Sequence, residues 1–216
     1  MRVLELREVR EMMRYLIWFT AMVAASHALS QSTGTPNAKN ALTGDALVRA
    51  LKGGGYTLVF RHAAREPEVI ESNAKISLVD CATQIPLSGM GRAQSRAIGE
   101  VIRRLDIPVG EVIASPLCRT MDTARLMIGR FRAEEAVAGR NPERWQDEFK
   151  FERLAEIVDM PLNAGMNRLI VGQANAFVAL AGPPILAEGE AGIFQILEGR
   201  RVLVARLRVE DWQVLR

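Results

Sequence analysis

Three short runs, YTLVF at 56–60, VIA at 112–114 and RLIV at 168–171, are apolar with almost no alternation, and each hands over to a stretch with helical spacing. A strand that is apolar on both sides has to be covered on both sides, which a parallel sheet achieves by packing its crossover helices on its two faces. Repeated along one chain, the pattern predicts an α/β fold, a three-layer sandwich with a mostly parallel central sheet and helices on both faces. In such sheets ligands gather at the carboxyl ends of the strands, so the residues following each run are where chemistry is to be sought. With 216 residues, 49% of them hydrophobic and 25% charged, the chain can build the core of one such domain and is unlike a disordered, collagen-like or disulfide-dense sequence.

The segments between these runs complete the layout. Asp45 precedes Ala46, Leu47, Val48, Ala50 and Leu51 and is placed to cap a short helix ending at Gly53-Gly54-Gly55. Ser88 opens a long helix in which Ala93, Ala97, Val101 and Leu105 form the inward stripe, and Pro108 closes the segment. Further helices are predicted from Pro116 to Gly129, around Phe151 to Val158, and from Asn175 to Ala181, the last ended by Gly182-Pro183-Pro184. Ala191 to Leu197 and Arg201 to Leu207 flank Glu198-Gly199 and read as a hairpin at an antiparallel edge. Apart from its one helix, 131–165 has no interpretable pattern.

At the amino end, Arg14 precedes the uncharged run YLIWFTAMVAA and then Ser26-His27-Ala28, the layout of a secretory signal. The run is shorter than the roughly 20 apolar residues that span a bilayer. Residues 1–28 therefore read as a signal peptide. Glu5, Glu8 and Glu11 are foreign to a signal's basic region and point to a start at Met12 or Met13. Residues 29–43, rich in Ser, Thr, Asn and Pro, read as a flexible leader into a domain at 44–216. The expectation is export, to the periplasm, with no stable membrane span after cleavage; an uncleaved anchor is the alternative. Without 1–28, His62 is the single histidine.

The net charge is +3 with basic and acidic residues interspersed, which argues against nucleic acid as a partner and for a small or anionic ligand. Two histidines and two cysteines, with no HExxH or CxxC spacing, predict no metal site, and no cofactor is expected.

The first run ends in Arg61-His62-Ala63-Ala64-Arg65-Glu66-Pro67. Two guanidinium groups at the end of a buried strand are a poor way to build a core, since each must be paired or solvated. They suit a phosphate: the planar fork of arginine matches its oxygens, and a neutral imidazole beside them can act as a nucleophile. The second run ends in Ser115-Pro116-Leu117-Cys118-Arg119-Thr120, which sets another arginine at the mouth of a neighbouring strand and the start of a helix, where backbone N–H groups also favour an anion. The alternative for His62, taken alone, is a satisfied structural histidine.

These residues resemble the histidine phosphatase superfamily, also called phosphoglycerate mutase-like. Residues 61–67 match its Arg-His-Gly-x-Arg-x-Pro motif with Ala63 in place of glycine, and Ser115, Arg119, Thr120, Thr123 and Ala124 match Ser-x-x-x-Arg-Thr-x-x-Thr-Ala. The resemblance runs in order from about Gly44 to Trp212 and is closest to small, exported bacterial members, in which Asp-Cys-Ala-Thr-Gln, here 80–84, precedes a Leu-Ser helix start. It implies phosphomonoester hydrolysis, with His62 attacking phosphorus to form a phosphohistidine and Arg61, Arg65 and Arg119 holding the phosphoryl oxygens of a phosphorylated small molecule.

The third run departs from that pattern. Where the family has a second histidine, this chain has Gln173, which can donate an N–H to a phosphate oxygen but cannot move a proton. Two readings follow: a phosphatase with altered chemistry, and a catalytically inactive protein that binds a phosphate ester. Glu156 is faintly similar to the family's acid, against the reading of a plain amphipathic helix; Glu66 and Asp122 are equally placed, with orientation of the arginines as a further role. If the chain is exported, Cys81 and Cys118 are an even pair in an oxidising compartment and predict a disulfide, the alternative being two buried thiols.

Overall fold

The computed structural model describes residues 34–67, 80–138 and 151–216. The chain divides into Met1–Gln31 and Ser32–Arg216, and the elements below all belong to the second unit; the predicted signal peptide lies outside the described residues. In order, the elements are α1 (Gly44–Gly53), β1 (Tyr56–Arg61), α2 (Gly89–Arg104), β2 (Val109–Ala114), α3 (Cys118–Ile128), β3 (Arg132–Ala133), α4 (Glu152–Asp159), β4 (Asn167–Gly172), α5 (Ala174–Ala181), β5 (Ala191–Leu197), β6 (Arg200–Leu207) and α6 (Val209–Val214). Short 3-10 turns lie at Cys81–Thr83 and Glu135–Val137.

One sheet of six strands runs in the order β3-β2-β4-β1-β5-β6. Strands β1 to β4 are parallel, while β5 is antiparallel to β1 and β6 to β5. Because successive side chains of a strand point to opposite faces, the apolar runs divide between two cores. Leu58, Phe60, Val112, Ala114, Leu169 and Val171 pack with residues of α1, α2, α3 and α6. Val59, Ile113 and Ile170 pack with residues of α4 and α5. The strands had to be apolar throughout because both faces are covered, and each fully buried side chain of the size of Leu or Phe contributes about 1.5–3 kcal/mol.

Several local expectations shift. The buried face of α2 is Gly91, Ser95, Ile98, Gly99, Val101 and Ile102; of the predicted stripe Val101 and the following Leu105 are buried, whereas Ala97 is half-buried and Ala93 exposed. Close backbone approach explains this: a Cβ on Gly91 would lie 1.9 Å from the Ala64 carbonyl oxygen, and one on Gly99 2.1 Å from that of Met127. Gly91, Ser95 and Gly99 thus face inward where a count of apolar side chains picks out alanines. Helix α1 follows Thr43 at its N-cap, and Asp45 sits in the first turn instead of capping it. The edge strand β3, in the segment without interpretable pattern, is too short to show a period. The domain's contacts also begin ahead of Gly44: Leu42 N–H donates to the Val204 carbonyl at 2.8 Å, and Arg206 Nη1 donates to the Gly34 carbonyl at 2.9 Å.

Strand order matters most for function. The arginine-bearing end of β2 is not beside β1, as the sequence suggested: β4 lies between them, its Gly172 level with Arg61 and its Val171 level with Ala114. The three carboxyl ends therefore open side by side, with Gln173 in the middle.

Candidate active site

Residues 61–67 leave β1 along a path set by hydrogen bonds from all sides. His62 N–H donates to the Gly172 carbonyl at 3.0 Å, and the His62 carbonyl accepts from Gly189 N–H at 2.9 Å. Ala63 N–H donates to Thr123 Oγ1 at 3.1 Å, and Ala64 N–H to Gln94 Oε1 at 3.2 Å. Ala63 does not adopt a positive φ, so alanine fits where the family motif has glycine.

The second motif divides its labour. Thr120 Oγ1 donates to the carbonyls of Ser115 and Leu117, at 2.8 and 2.6 Å, and Thr123 Oγ1 to that of Arg119 at 2.7 Å. Ser115, Thr120 and Thr123 are buried, the two threonines holding backbone and the Ser115 hydroxyl lying 2.8 Å from that of Thr120, and Ala124 belongs to the core. Arg119, in the first turn of α3 and also buried, carries the motif's charge; its Nη2 donates to Gln173 Oε1 at 3.2 Å. The other atoms of that region are incompletely satisfied: Gln173 Nε2, Arg61 Nε and Asn175 Oδ1 are buried and make no hydrogen bond among the described residues.

His62 is 3% exposed and its Nδ1 lies 2.8 Å from the Ala63 carbonyl oxygen. A carbonyl only accepts, so Nδ1 carries the proton and Nε2 keeps its lone pair. Burial, joined by the charges of Arg119, Arg61 and Arg65, pushes the imidazole down to about 3, against the opposing effect of the Ala63 bond. The ring is therefore neutral at any ordinary pH. Burial likewise holds the Arg61 guanidinium below its ordinary value, with Glu188 pulling it up and Arg65 and Arg119 pushing it further down. His62, Arg61, Arg65 and Arg119 thus feel one another's charge.

The remaining candidates fall elsewhere. Glu156 is on the outer face of α4, 61% exposed and paired at 2.6 Å with Arg153, while neighbouring Ile157 faces inward and its carbonyl accepts from Arg168 at the amino end of β4. It is not part of the site, and the amphipathic-helix reading is the correct one. Asp122 pairs with Arg125 on the surface of α3. Glu66 is tied to the site by its backbone, its N–H donating to the Pro86 carbonyl. Cys81 and Cys118 form a disulfide with Cα atoms 5.7 Å apart, and Gln84 Oε1 accepts from Cys118 N–H at 2.8 Å, so residues 80–84 anchor the start of α3 next to Arg119.

Sequence reading missed Glu188. Its Oε1 lies 3.2 Å from Arg61 Nη2 and 3.4 Å from Arg65 Nε. A signal was present: an antiparallel β5 beside β1 has to begin at the carboxyl end of β1, and Glu188 comes three residues before it. Among the described residues no group of His, Cys, Asp and Glu is placed to hold a metal ion, and no helix is long and apolar enough to cross a membrane.

A buried histidine that feels the charges of three arginines, at the carboxyl ends of a mostly parallel sheet, makes a cationic candidate site in an α/β sandwich. The branch 1 family model of the histidine phosphatase superfamily matches residues 58–158 of the chain. The fold is similar to that of the protein histidine phosphatase SixA complexed with tungstate, at 11% identity and a TM-score of 0.53 over 72% of this chain and 98% of that one. It is also similar to a phosphoserine phosphatase mutant from Entamoeba histolytica in complex with phosphoserine, at 14% identity and a TM-score of 0.54, with 72% and 98% covered. The alpha-ribazole phosphatase from Shigella flexneri has 15% identity and a TM-score of 0.50, with 71% and 96% covered. No curated protein matches the chain in sequence.

Proposed function

We propose that the protein hydrolyses phosphomonoesters through a phosphohistidine on His62. The observation that carries this reading is the bond between Nδ1 and the Ala63 carbonyl, which with burial leaves a neutral ring whose Nε2 is free to attack. Nε2 forms a bond to phosphorus as the ester P–O bond breaks, and the departing alkoxide takes a proton from solvent. Water then attacks the phosphohistidine, releasing phosphate and restoring the neutral imidazole. Phosphoryl transfer is catalysed mainly by positioning and by stabilising charge spread over the oxygens, which three arginines can supply. The ligands of similar structures, tungstate and phosphoserine, support the same chemistry.

The second reading, an inactive protein that binds a phosphate ester, draws on Gln173. This neutral amide spends its oxygen on Arg119 and cannot shuttle a proton. Turnover of p-nitrophenyl phosphate by wild type and His62→Ala separates the two: the phosphatase reading expects a fall of about 10³-fold or more, and equal rates would leave only binding. The predicted signal supports export to the periplasm as the place of action, which sequencing the amino terminus of the mature protein would test.

A further inference from the structure

The geometry points to Glu188 as the positioning residue of the oxyanion pocket, a carboxylate that touches no phosphate and acts by holding Arg61 and Arg65 in one arrangement. The inference rests on the reading of this pocket as a phosphate site. Oε1 is shared between Arg61 Nη2 at 3.2 Å and Arg65 Nε at 3.4 Å, and Oε2 accepts from the backbone N–H of Arg65 at 3.2 Å. One side chain thus spans both arginines of the first motif and the backbone that carries the second of them.

The need for such a group is electrostatic and entropic. Arg61, Arg65 and Arg119 repel one another, and the Arg65 side chain, 42% exposed, has many rotamers open to it unless something selects one. A carboxylate between two guanidinium groups offsets the repulsion and fixes the forks before an anion arrives. Its own negative charge makes it a poor direct ligand for phosphate, so any contribution to binding passes through the arginines.

The loop presenting Glu188 is itself firmly built. Glu190, 4% exposed, accepts from Ala187 N–H and from Arg206 Nε, both at 2.7 Å. The Glu190 carbonyl accepts from Arg61 N–H at 3.0 Å, and Gly189 N–H donates to the His62 carbonyl at 2.9 Å. The residues that follow Glu188 are therefore docked directly against the backbone of Arg61 and His62.

The test is calorimetric titration of the folded chain with inorganic phosphate, alongside the KM and kcat for p-nitrophenyl phosphate. Glu188→Ala should weaken phosphate binding about tenfold, and Glu188→Gln, which keeps one acceptor oxygen, about threefold. In an Arg65→Ala background the loss from Glu188→Ala should shrink to about threefold or less, because part of what Glu188 acts through is gone. In turnover the change should fall on KM more than on kcat. Unchanged or tighter phosphate binding by a folded Glu188→Ala protein would overturn the inference, as would an equal loss in both backgrounds. If Glu188→Ala does not fold, the same comparison with Glu188→Gln decides. Wild type that binds phosphate without hydrolysing its ester would refute the phosphatase reading and leave the role of Glu188 standing on the binding data.

Discussion

Each end of the central sheet buries an arginine, and the two ends treat the charge differently. At the amino end Arg168 donates through Nε to Glu111 at 2.7 Å and through Nη1 to the carbonyls of Ile157 and Met160 at 2.6 and 3.2 Å. Beside it Asn167 accepts from Tyr56 N–H and donates to the carbonyls of Leu51 and Pro108. Burial would raise the Glu111 carboxyl, but hydrogen bonds from Arg132 and Arg168 hold it below its ordinary value. At the carboxyl end Glu188 pairs with Arg61 and Arg65, Arg119 bonds to Gln173, and Arg61 Nε, Gln173 Nε2 and Asn175 Oδ1 are buried without hydrogen bonds among the described residues.

A buried polar atom without a partner costs about 1–3 kcal/mol. Two of these atoms, Arg61 Nε and Gln173 Nε2, are donors without a partner among the described residues, and the oxyanion of the proposed function would supply acceptors for them. Cavity size does not reveal this, since a cleft of about 350 Å³ opens at the amino end, lined by Glu111, Leu162, Asn163, Met166 and Arg168, where the charges are already matched. Unmet hydrogen-bonding capacity separates the two ends more sharply than concavity does.

The contrast is broken most directly by removing one arginine from each end. Arg119→Ala should cut turnover of p-nitrophenyl phosphate about 10² to 10³-fold, the usual effect of losing one donor to a developing oxyanion, and should lower stability less than Arg168→Ala does. Arg168→Ala should do the reverse, lowering unfolding free energy by about 2–4 kcal/mol as its carbonyl partners lose their donor, with turnover per folded molecule within about twofold of wild type. If Arg168→Ala remained fully folded and lost activity as steeply, the division between a structural end and a functional end would fail.

The disulfide sharpens the picture of how the carboxyl end is held. Cys81 and Cys118 are separated by 37 positions, and in the chain-entropy model such a closure contributes roughly 3 to 4 kcal/mol. Denaturant unfolding with and without reductant should differ by about that amount, and phosphate affinity should weaken in reductant because α3 starts at the bridge and bears Arg119. A change in stability with no change in affinity would make the bridge a staple of the fold alone.

Acid provides a smaller, graded test. The unfolded chain takes a proton on His62 near its ordinary value of 6.5, whereas the folded chain takes one only near about 3. Between those values the unfolded state binds the extra proton, so stability falls as pH falls, by up to about 1.4 kcal/mol per pH unit. Above the window His62 contributes no pH dependence. Unfolding free energies from about pH 4 to about pH 7 should show this slope in wild type and lose that part of it in His62→Ala. Equal slopes would mean that the ring is not held neutral.

The smallest expected effect belongs to Gln173→His. An imidazole at that position would add a group that can carry charge or a proton beside Arg119, and about a tenfold rise in kcat is expected, equivalent to about 1.4 kcal/mol of barrier. KM should change less, because the arginines already hold the ground-state phosphate, and the gain should vanish with His62→Ala. An unchanged or lower kcat in a folded protein would show that the place of Gln173 between β1 and β2 is not one from which a base or acid can help.

Wherever a few neighbouring residues decide the outcome, local sequence was enough. The unbroken apolar runs of β1, β2 and β4 require cover on both faces, and the two motifs keep their arginines at strand and helix ends because a guanidinium group has no better place near a core. Glu198-Gly199 turns the hairpin, with both residues at positive φ, 52 and 72. Gly91 and Gly99 escaped such reading, since their role is to leave room for the backbone of other segments.

What only the tertiary structure decided is who meets whom. Glu156 and Glu188 are both acidic residues near apolar segments, and no local property says that one faces solvent beside Arg153 while the other bridges Arg61 and Arg65. The insertion of β4 between β1 and β2, which carries Gln173 to Arg119, is likewise invisible in any one stretch of chain. Hydrophobic period, caps and turns act over a few residues and are written in them. The order of strands and the pairing of charges depend on how distant segments pack into one close-packed interior, where the cost of an unpaired group is set by whatever the rest of the chain brings to it.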